Sequence, residues 1–200
     1  MFEYFDLSKT YTLENERVQL RPLSIIDLEA LEEVAHTPEI WTYFLEKGYG
    51  RANFKTYIQA ALEQRQQGNS YPFVVLDKAT KQLTGMTRLY DYTQELQNIK
   101  LGHTWYGTSF QGSGINKHCK FLLFEFAFEK LGMERIGFGV HGENLRSVAA
   151  LKSVGVSQEG VLRNYLVSTS GTERVDLLHL SILKTEWFKT IKEMLSKKLA

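Results

Sequence analysis

The residues with the clearest chemical potential form a glycine-containing loop between a strand-like run and an apolar-rich helix. The run begins at Leu101, the loop contains Gly107, Gly112 and Gly114, and the helix extends to Leu131. Glycines at such a turn let several backbone N–H groups face one point, where the helix dipole is also positive. That point can hold a phosphate group. The same glycines also suit a tight turn without a ligand, so this pattern alone leaves both interpretations open.

A second candidate is the pair Asn144 and Ser147, three residues apart at the start of another predicted helix. This spacing places the two side chains on one helical face, where both can reach a ligand. The structural alternative is that Asn144 caps the helix and Ser147 bonds to its own backbone. One asparagine can also serve as both cap and ligand contact.

The histidines are the candidates for proton transfer, because an imidazole has an unperturbed pKa near neutral pH. His103 is the leading candidate, since it lies on the strand before the loop; a histidine that merely packs there is the alternative. His141 and Glu143 follow the next strand and are weaker candidates. Cys119 is the only cysteine, which excludes an intramolecular disulfide and a cysteine-cluster metal site.

Strand-like and helical segments must position these residues. Alternating or continuous apolar patterns predict seven strands, at 17–23, 71–76, 82–92, 98–106, 135–140, 156–167 and 174–183. The first predicted helix begins at Ser24 or Asp27 and has Ile26 on its apolar face. Four more helices are predicted, at 51–67, directly after the glycine loop, at 144–154 and at 186–198. Short connections between residues 71 and 106 predict an antiparallel meander.

Composition indicates one ordinary globular domain over residues 1–200. Hydrophobic residues make up 43% of the chain and charged residues 24%. The net charge of +1 gives no basic field for nucleic acid. No run of roughly 18 apolar residues indicates a membrane helix, and the first residues are unlike a signal peptide. We therefore expect a cytoplasmic protein with no nucleic-acid or membrane partner and no metal.

Three motifs in order resemble the GCN5-related N-acetyltransferase (GNAT) superfamily. The first, Gln111-Gly112-Ser113-Gly114-Ile115-Asn116, is similar to its acetyl-coenzyme-A loop. The second, Asn144-Leu145-Arg146-Ser147, resembles the Asn-x-x-Ser helix of the RimJ/RimL-like branch. The third, Gln158-Glu159-Gly160-Val161-Leu162-Arg163, is similar to the strand that follows. The resemblance covers about residues 17–187.

The resemblance implies a single-domain, mixed α/β (α+β) fold. Its central sheet is twisted, mostly antiparallel, built from about seven strands, splayed at the acetyl-coenzyme-A site and flanked by helices on both faces. The implied activity is acetyl transfer from acetyl-coenzyme A to a primary amine, by direct attack in a ternary complex. The implied coenzyme contacts are Thr104, Trp105, Tyr106, Gln111, Gly112, Ser113, Gly114, Ile115, Asn116, Asn144 and Ser147. By the same resemblance Ser147 would protonate the leaving thiolate, whereas His103 is our candidate for the base.

The acceptor that the resemblance implies is a protein N-terminus or a small-molecule amine. Aromatic residues suited to such a pocket cluster in the early loop, with two residues of a later strand; they are Trp41, Tyr43, Phe44, Tyr49, Arg163 and Tyr165. Those residues could equally cover the sheet. Lys100 and Leu151 replace more reactive family residues, which motivates a catalytically silent acyl-coenzyme-A binder as the alternative function. A homodimer and the use of other acyl groups stay open.

Overall fold

The structure is a computed structural model that describes residues 4–199. The first three residues and the last residue of the predicted domain lie outside the described residues. The described residues form a single sheet of eight strands, which are β1 (Leu13–Glu14), β2 (Val18–Pro22), β3 (Ser70–Asp77), β4 (Gln82–Thr93), β5 (Asn98–Tyr106), β6 (Arg135–His141), β7 (Ser157–Val167) and β8 (Arg174–Leu183). Their spatial order is β1-β2-β3-β4-β5-β6-β8-β7.

The predicted mixed fold with a mostly antiparallel sheet is confirmed. Every neighbouring pair is antiparallel except β5 and β6, which are parallel. The sheet has one strand more than the predicted seven. The additional strand is β1, in which Leu13 pairs with Leu20; two residues are too few to show an alternating pattern.

Helices cover both faces of the sheet. They are α1 (Leu28–Ala35), α2 (Arg51–Gln66), α3 (Ile115–Glu125), α4 (Leu145–Ser153), α5 (Lys184–Glu186) and α6 (Lys192–Leu199). One π-helical turn, Phe126–Lys130, extends α3, and another, Trp187–Ile191, joins α5 to α6. Within residues 4–199, none of the helices combines the length and apolarity needed to cross a membrane.

Strand β3 shows how the sheet separates two cores. Tyr71, Phe73 and Val75 point to the face covered by α3 and α6, while Val74 points to the face covered by α1 and α2. All four side chains are fully buried. A strand buried on both faces has a continuous apolar run rather than an alternating one, which is the pattern that this segment shows.

The start of the first helix differs from its prediction. Residues 25–27 form a 3₁₀ turn, and α1 begins only at Leu28. The turn buries Asp27, whose carboxylate accepts hydrogen bonds from the Arg21 guanidinium at 2.6 and 2.9 Å. Because Asp27 points inward, Ile26 points outward and is 83% exposed, so its predicted place on the apolar face was wrong.

The sheet opens between β5 and β6. These strands pair at only three positions, from Asn98 with Arg135 to Lys100 with Gly137, although β5 continues to Tyr106 and β6 to His141. The register of β4 and β5 shifts in the same region, and His103 there has a φ of +48°. Such a bulge bends its strand. The predicted splay is confirmed, and it leaves a V-shaped gap between β5 and β6.

Candidate active site

The V-shaped gap contains a cavity of about 670 Å³. Its walls come from β5, the loop after it, α3, β6, α4 and the loop before α2. Ten of the predicted site residues line it: His103, Thr104, Trp105, Tyr106, Gln111, Gly112, Gly114, Asn116, Asn144 and Ser147. Ser113 and Ile115 do not line it. Ser113 is exposed and donates to the Phe110 carbonyl at 2.5 Å, and Ile115 is buried in the core.

The glycine loop forms the end of the cavity at the N-terminus of α3. Gly112 and Gly114 have φ values of +77° and +89°, and a Cβ at either position would meet no atom of the described residues within 4 Å. Glycine is therefore needed for the left-handed backbone and not for lack of space. Among residues 4–199, the N–H groups of Gly112, Gly114, Ile115 and Asn116 have no hydrogen-bond acceptor. Four free donors at a positive helix end suit an anionic phosphate.

Gln111 connects this loop to two neighbouring elements. Its side-chain Nε2 donates to the Tyr106 carbonyl on β5 at 3.0 Å. Its Oε1 accepts a hydrogen bond from Arg146 Nη1 on α4 at 2.6 Å. The glutamine thus holds the loop in place, and Arg146, together with Lys117, lines the cavity with positive charge.

The side chains of β5 alternate between the two sides of the sheet. Thr104 Oγ1 lies 2.8 Å from Thr87 Oγ1 on the side covered by α3. Tyr106 donates its hydroxyl to Asn116 Oδ1 at 3.4 Å on that same side. Trp105 belongs instead to the core under α1 and α2, where its ring centroid lies 5.4 Å from that of Trp41.

His103 lies at the bulge with its ring edge-on to Tyr90, at a centroid distance of 5.3 Å. Burial lowers the pKa of this imidazole to about 4, with a further lowering by the positive charge of Arg88 and a partial opposing effect of Asp91. His103 is therefore neutral at pH 7 and a weaker base than an unperturbed imidazole. Its catalytic role stays a prediction.

Asn144 and Ser147 begin α4 at the cavity wall. The Asn144 side-chain oxygen accepts the Ser147 backbone N–H at 3.1 Å, so the asparagine is the helix cap. The Ser147 hydroxyl makes no hydrogen bond within the part of the chain that the structure describes. It is half-buried and lines the cavity, so it is free to contact a ligand.

His141 lies across the gap at the end of β6 and is 6% exposed. Its Nδ1 accepts the Glu143 backbone N–H at 3.4 Å, which places the hydrogen of a neutral ring on Nε2. Nε2 is buried without a hydrogen-bond partner among the described residues. The ring packs against Tyr43 at a centroid distance of 5.3 Å.

Only part of the predicted acceptor cluster reaches the cavity. Tyr43 and Phe44 line it, together with Leu45 and Glu46. Trp41 does not: it is 1% exposed, and its indole N–H donates to the Ala35 carbonyl at 2.9 Å, which fixes it in the core. The remaining predicted residues are all exposed outside the cavity wall; they are Tyr49, Arg163 and Tyr165.

Lys120 is a buried, titratable cavity residue that sequence reasoning missed. It is 4% exposed, and its Nζ donates to Thr104 Oγ1 at 3.3 Å. Burial lowers the pKa of this ammonium to about 8. One signal was available: Lys120 lies four residues after Asn116, so both belong to one face of α3.

Comparisons with known proteins agree with this geometry. A family model described as an acetyltransferase (GNAT) domain matches residues 17–157. The uncharacterized N-acetyltransferase p20 of Bacillus licheniformis is 25% identical over 177 residues, covering 88% of this chain and 98% of its own. YdaF of Bacillus subtilis, which bears the provisional name of a ribosomal N-acetyltransferase, is 28% identical over 178 residues, covering 86% and 94%.

A solved structure adds a ligand to these comparisons. Mycobacterium smegmatis RimJ in complex with CoA-disulfide has the same fold, with a TM-score of 0.75 and 23% identity. The match covers 94% of this chain and 93% of that one. Within residues 4–199, no group of three or more histidine, cysteine or acidic side chains is arranged to hold a metal ion.

Proposed function

The chain belongs to the GNAT acetyltransferase family, and on that premise we propose that it transfers acetyl from acetyl-coenzyme A to a primary amine by direct attack in a ternary complex. The observation that supports this most is the cavity in the gap between β5 and β6. One end of this cavity is formed by N–H groups that have no acceptor among residues 4–199. We further propose that residues 1–200 act as one domain, since all eight strands form one sheet. A cytoplasmic location and a homodimer stay predictions.

The loop at α3 is the proposed site for the coenzyme phosphates. Four N–H groups without an acceptor in the described part of the chain, and the positive end of α3, favour an anion there. Lys117 and Arg146 add two positive charges to the same cavity, against one acidic side chain, Glu46. A ligand with several phosphate charges would balance this excess.

The β5 segment from His103 to Tyr106 is the proposed contact surface for the thioester. Beyond Lys100 the backbone groups of β5 that face β6 have no strand partner within residues 4–199, so they can bind a ligand. Backbone N–H groups aimed at a developing oxyanion stabilise acyl transfer by several kcal/mol in a dry site. Ser147 is the proposed donor to the leaving thiolate, because its residue lines the cavity and its hydroxyl has no hydrogen-bond partner among residues 4–199.

The acceptor enters, on this proposal, at the side lined by Tyr43, Phe44, Leu45 and Glu46. The apolar side chains suit the body of a peptide or an organic amine. The single carboxylate suits an approaching ammonium group before it loses its proton. The provisional name of YdaF makes peptides with ribosomal-protein N-termini the first acceptors to test.

Calorimetry with acetyl-coenzyme A tests the coenzyme site. We expect binding by the wild type and its loss in Gly114→Glu, since a carboxylate would enter the phosphate site. Gly171→Glu is the matched control, because Gly171 also has a positive φ, also has open space around it, and lies in the β7–β8 turn. Equal affinity in both variants would contradict the assignment of the loop.

Release of free thiol, measured with a panel of amines and N-terminal peptides, tests the transfer step. An N-acetyltransferase releases one thiol for each acetyl group that the acceptor gains. Thiol release at background with every acceptor, despite tight coenzyme binding, would favour the silent acyl-coenzyme-A binder instead.

A further inference from the structure

Lys120 places a primary amine inside the cavity. Its ammonium group is almost fully buried, and no carboxylate pairs with it among the described residues. Its contacts are the Thr104 hydroxyl at 3.3 Å and the Phe138 ring, whose centroid lies 5.7 Å from Nζ. Neither contact neutralises the charge. Because the side chain is buried, a molecule can reach this lysine only by binding in the cavity.

Thr104 fixes where in the cavity this amine lies. It belongs to the β5 segment that we propose as the thioester surface, so Nζ lies beside the proposed position of the acetyl group. A nucleophile and its electrophile held at contact distance react as if at very high concentration. The inference that follows rests on the proposed function for this position.

We propose that Lys120 is an internal acetyl acceptor, which becomes acetylated when acetyl-coenzyme A is bound and no external amine occupies the cavity. The neutral Nζ attacks the thioester carbonyl carbon, so that a C–N bond forms and the C–S bond breaks. The nitrogen loses one proton, and the departing thiolate gains it. The products are one acetyl-lysine and one coenzyme A, and no oxidant or further reactant is needed.

The protonation state of Lys120 supports this reaction. Burial lowers its pKa to about 8, so that roughly one molecule in ten has the neutral amine at pH 7, against about one in three thousand at the ordinary value of 10.5. Cys119, beside it on α3, stays a neutral thiol because burial raises its pKa to about 12. Lys117, on the same helix, also lines the cavity. The titratable groups that other elements contribute to the lining are His103, His141, Arg146, Glu46, Tyr43, Tyr90 and Tyr106.

Lys117 provides the internal comparison. It lies on the same helix, three residues before Lys120, and also lines the cavity, but it is only half-buried. Lys55 on α2 is exposed and reports the background of uncatalysed acetylation in solution. Comparing the acetylation rates of the three lysines therefore distinguishes a reaction inside the cavity from uncatalysed acetylation by acetyl-coenzyme A in solution.

The experiment incubates the full chain with acetyl-coenzyme A and no amine, and follows intact mass and the modified peptide. We expect one acetyl group on Lys120, at a rate that saturates with acetyl-coenzyme A and falls when coenzyme A competes. The rate should rise about tenfold per pH unit below pH 8 and level off above it. Lys120→Arg should lose this modification, whereas Lys55→Arg, at an exposed position on α2, should keep it.

The outcomes that would overturn the inference are distinct from those that would overturn the proposed function. Acetylation of Lys55 and other exposed lysines alone, with a rate linear in acetyl-coenzyme A, would refute the role of Lys120. Calorimetric binding and acetylation of an added amine would leave the transferase intact in that case. Absence of acetyl-coenzyme-A binding would refute both.

Discussion

The buried charge of Lys120 leads to a prediction about stability. Its pKa falls from 10.5 to about 8, and that difference corresponds to about 3 kcal/mol of folding free energy lost at pH 7. Lys120→Met removes the charge and fills a similar volume. The variant also loses the hydrogen bond to Thr104, which contributes about 1 kcal/mol. We therefore expect the free energy of unfolding to rise by about 2 kcal/mol, or the Tm by roughly 4 to 8 °C.

The stability gain of Lys120→Met should decrease as the pH rises. Below pH 8 both the folded and the unfolded chain hold the proton, so the wild type bears the full cost of the buried ammonium. Between pH 8 and 10.5 the unfolded chain binds more protons than the folded one, so wild-type stability rises with pH through this window. Lys120→Met lacks that rise. Its advantage should therefore shrink from about 2 kcal/mol at pH 7 to near zero at pH 10.

Urea unfolding of the wild type and two variants at pH 7 and pH 10 measures this difference. Lys117→Met is the control, since it removes a half-buried lysine from the same wall and should change stability by less than about 0.5 kcal/mol. The other titratable side chains are the same in the proteins compared, so their contributions to the pH dependence cancel in the difference between variant and wild type. A Lys120→Met protein that is less stable than the wild type at pH 7, or whose gain is equal at both pH values, would refute the reasoning.

Three further predictions concern the scaffold, and urea unfolding measures each. Gly85→Ala should lower the free energy of unfolding by roughly 2 to 3 kcal/mol, because the new Cβ would lie 2.0 Å from the Trp105 carbonyl oxygen. An equal loss of stability in Gly137→Ala, where the nearest atom to the new Cβ is 3.4 Å away, would contradict this cause. Asn144→Ala should cost about 1 kcal/mol through the lost cap of α4, and Asn144→Asp should restore it; no recovery would rule out the cap. Glu159, 40% exposed, has a pKa lowered to about 2 chiefly by hydrogen bonds from its arginine partner on β6. Glu159→Gln should cost less than about 1 kcal/mol at pH 7, and the difference should vanish as pH falls from 4.5 to 2; a constant difference would argue against the ion pair.

Local patterns were sufficient for the elements that position the site. The strand at 98–106 has the predicted bounds, because a turn at 94–97 precedes it, Gly107 follows it, and its apolar residues alternate. The splay came from the family resemblance instead. The bulge that helps to create it has no local signal, since the positive φ of His103 depends on the pairing of β5 with β4.

Side-chain environments were beyond the reach of sequence alone. Trp41 and Tyr43 are two residues apart in one aromatic segment, yet the first is fixed in the core and the second lines the cavity. An irregular loop has no period from which to predict this difference. The pKa of His103 was likewise unpredictable, since it depends on burial and on Arg88, fifteen residues away in sequence but on the adjacent strand. Lys120 was missed because lysines are usually exposed.

The unfolding experiment and the acetylation experiment on Lys120 both test the effect of burying its amine. Burial in the cavity wall raises the free energy of the charged ammonium, which costs stability at pH 7 and increases the fraction of neutral amine at the same time. A Lys120→Met variant that is more stable, together with a wild type that acetylates itself at position 120, would indicate that both effects have this origin. If the stability gain occurs without acetylation, the buried amine is correctly described but lies beyond reach of the thioester. If acetylation occurs without the stability gain, proximity to the thioester drives the reaction and desolvation does not.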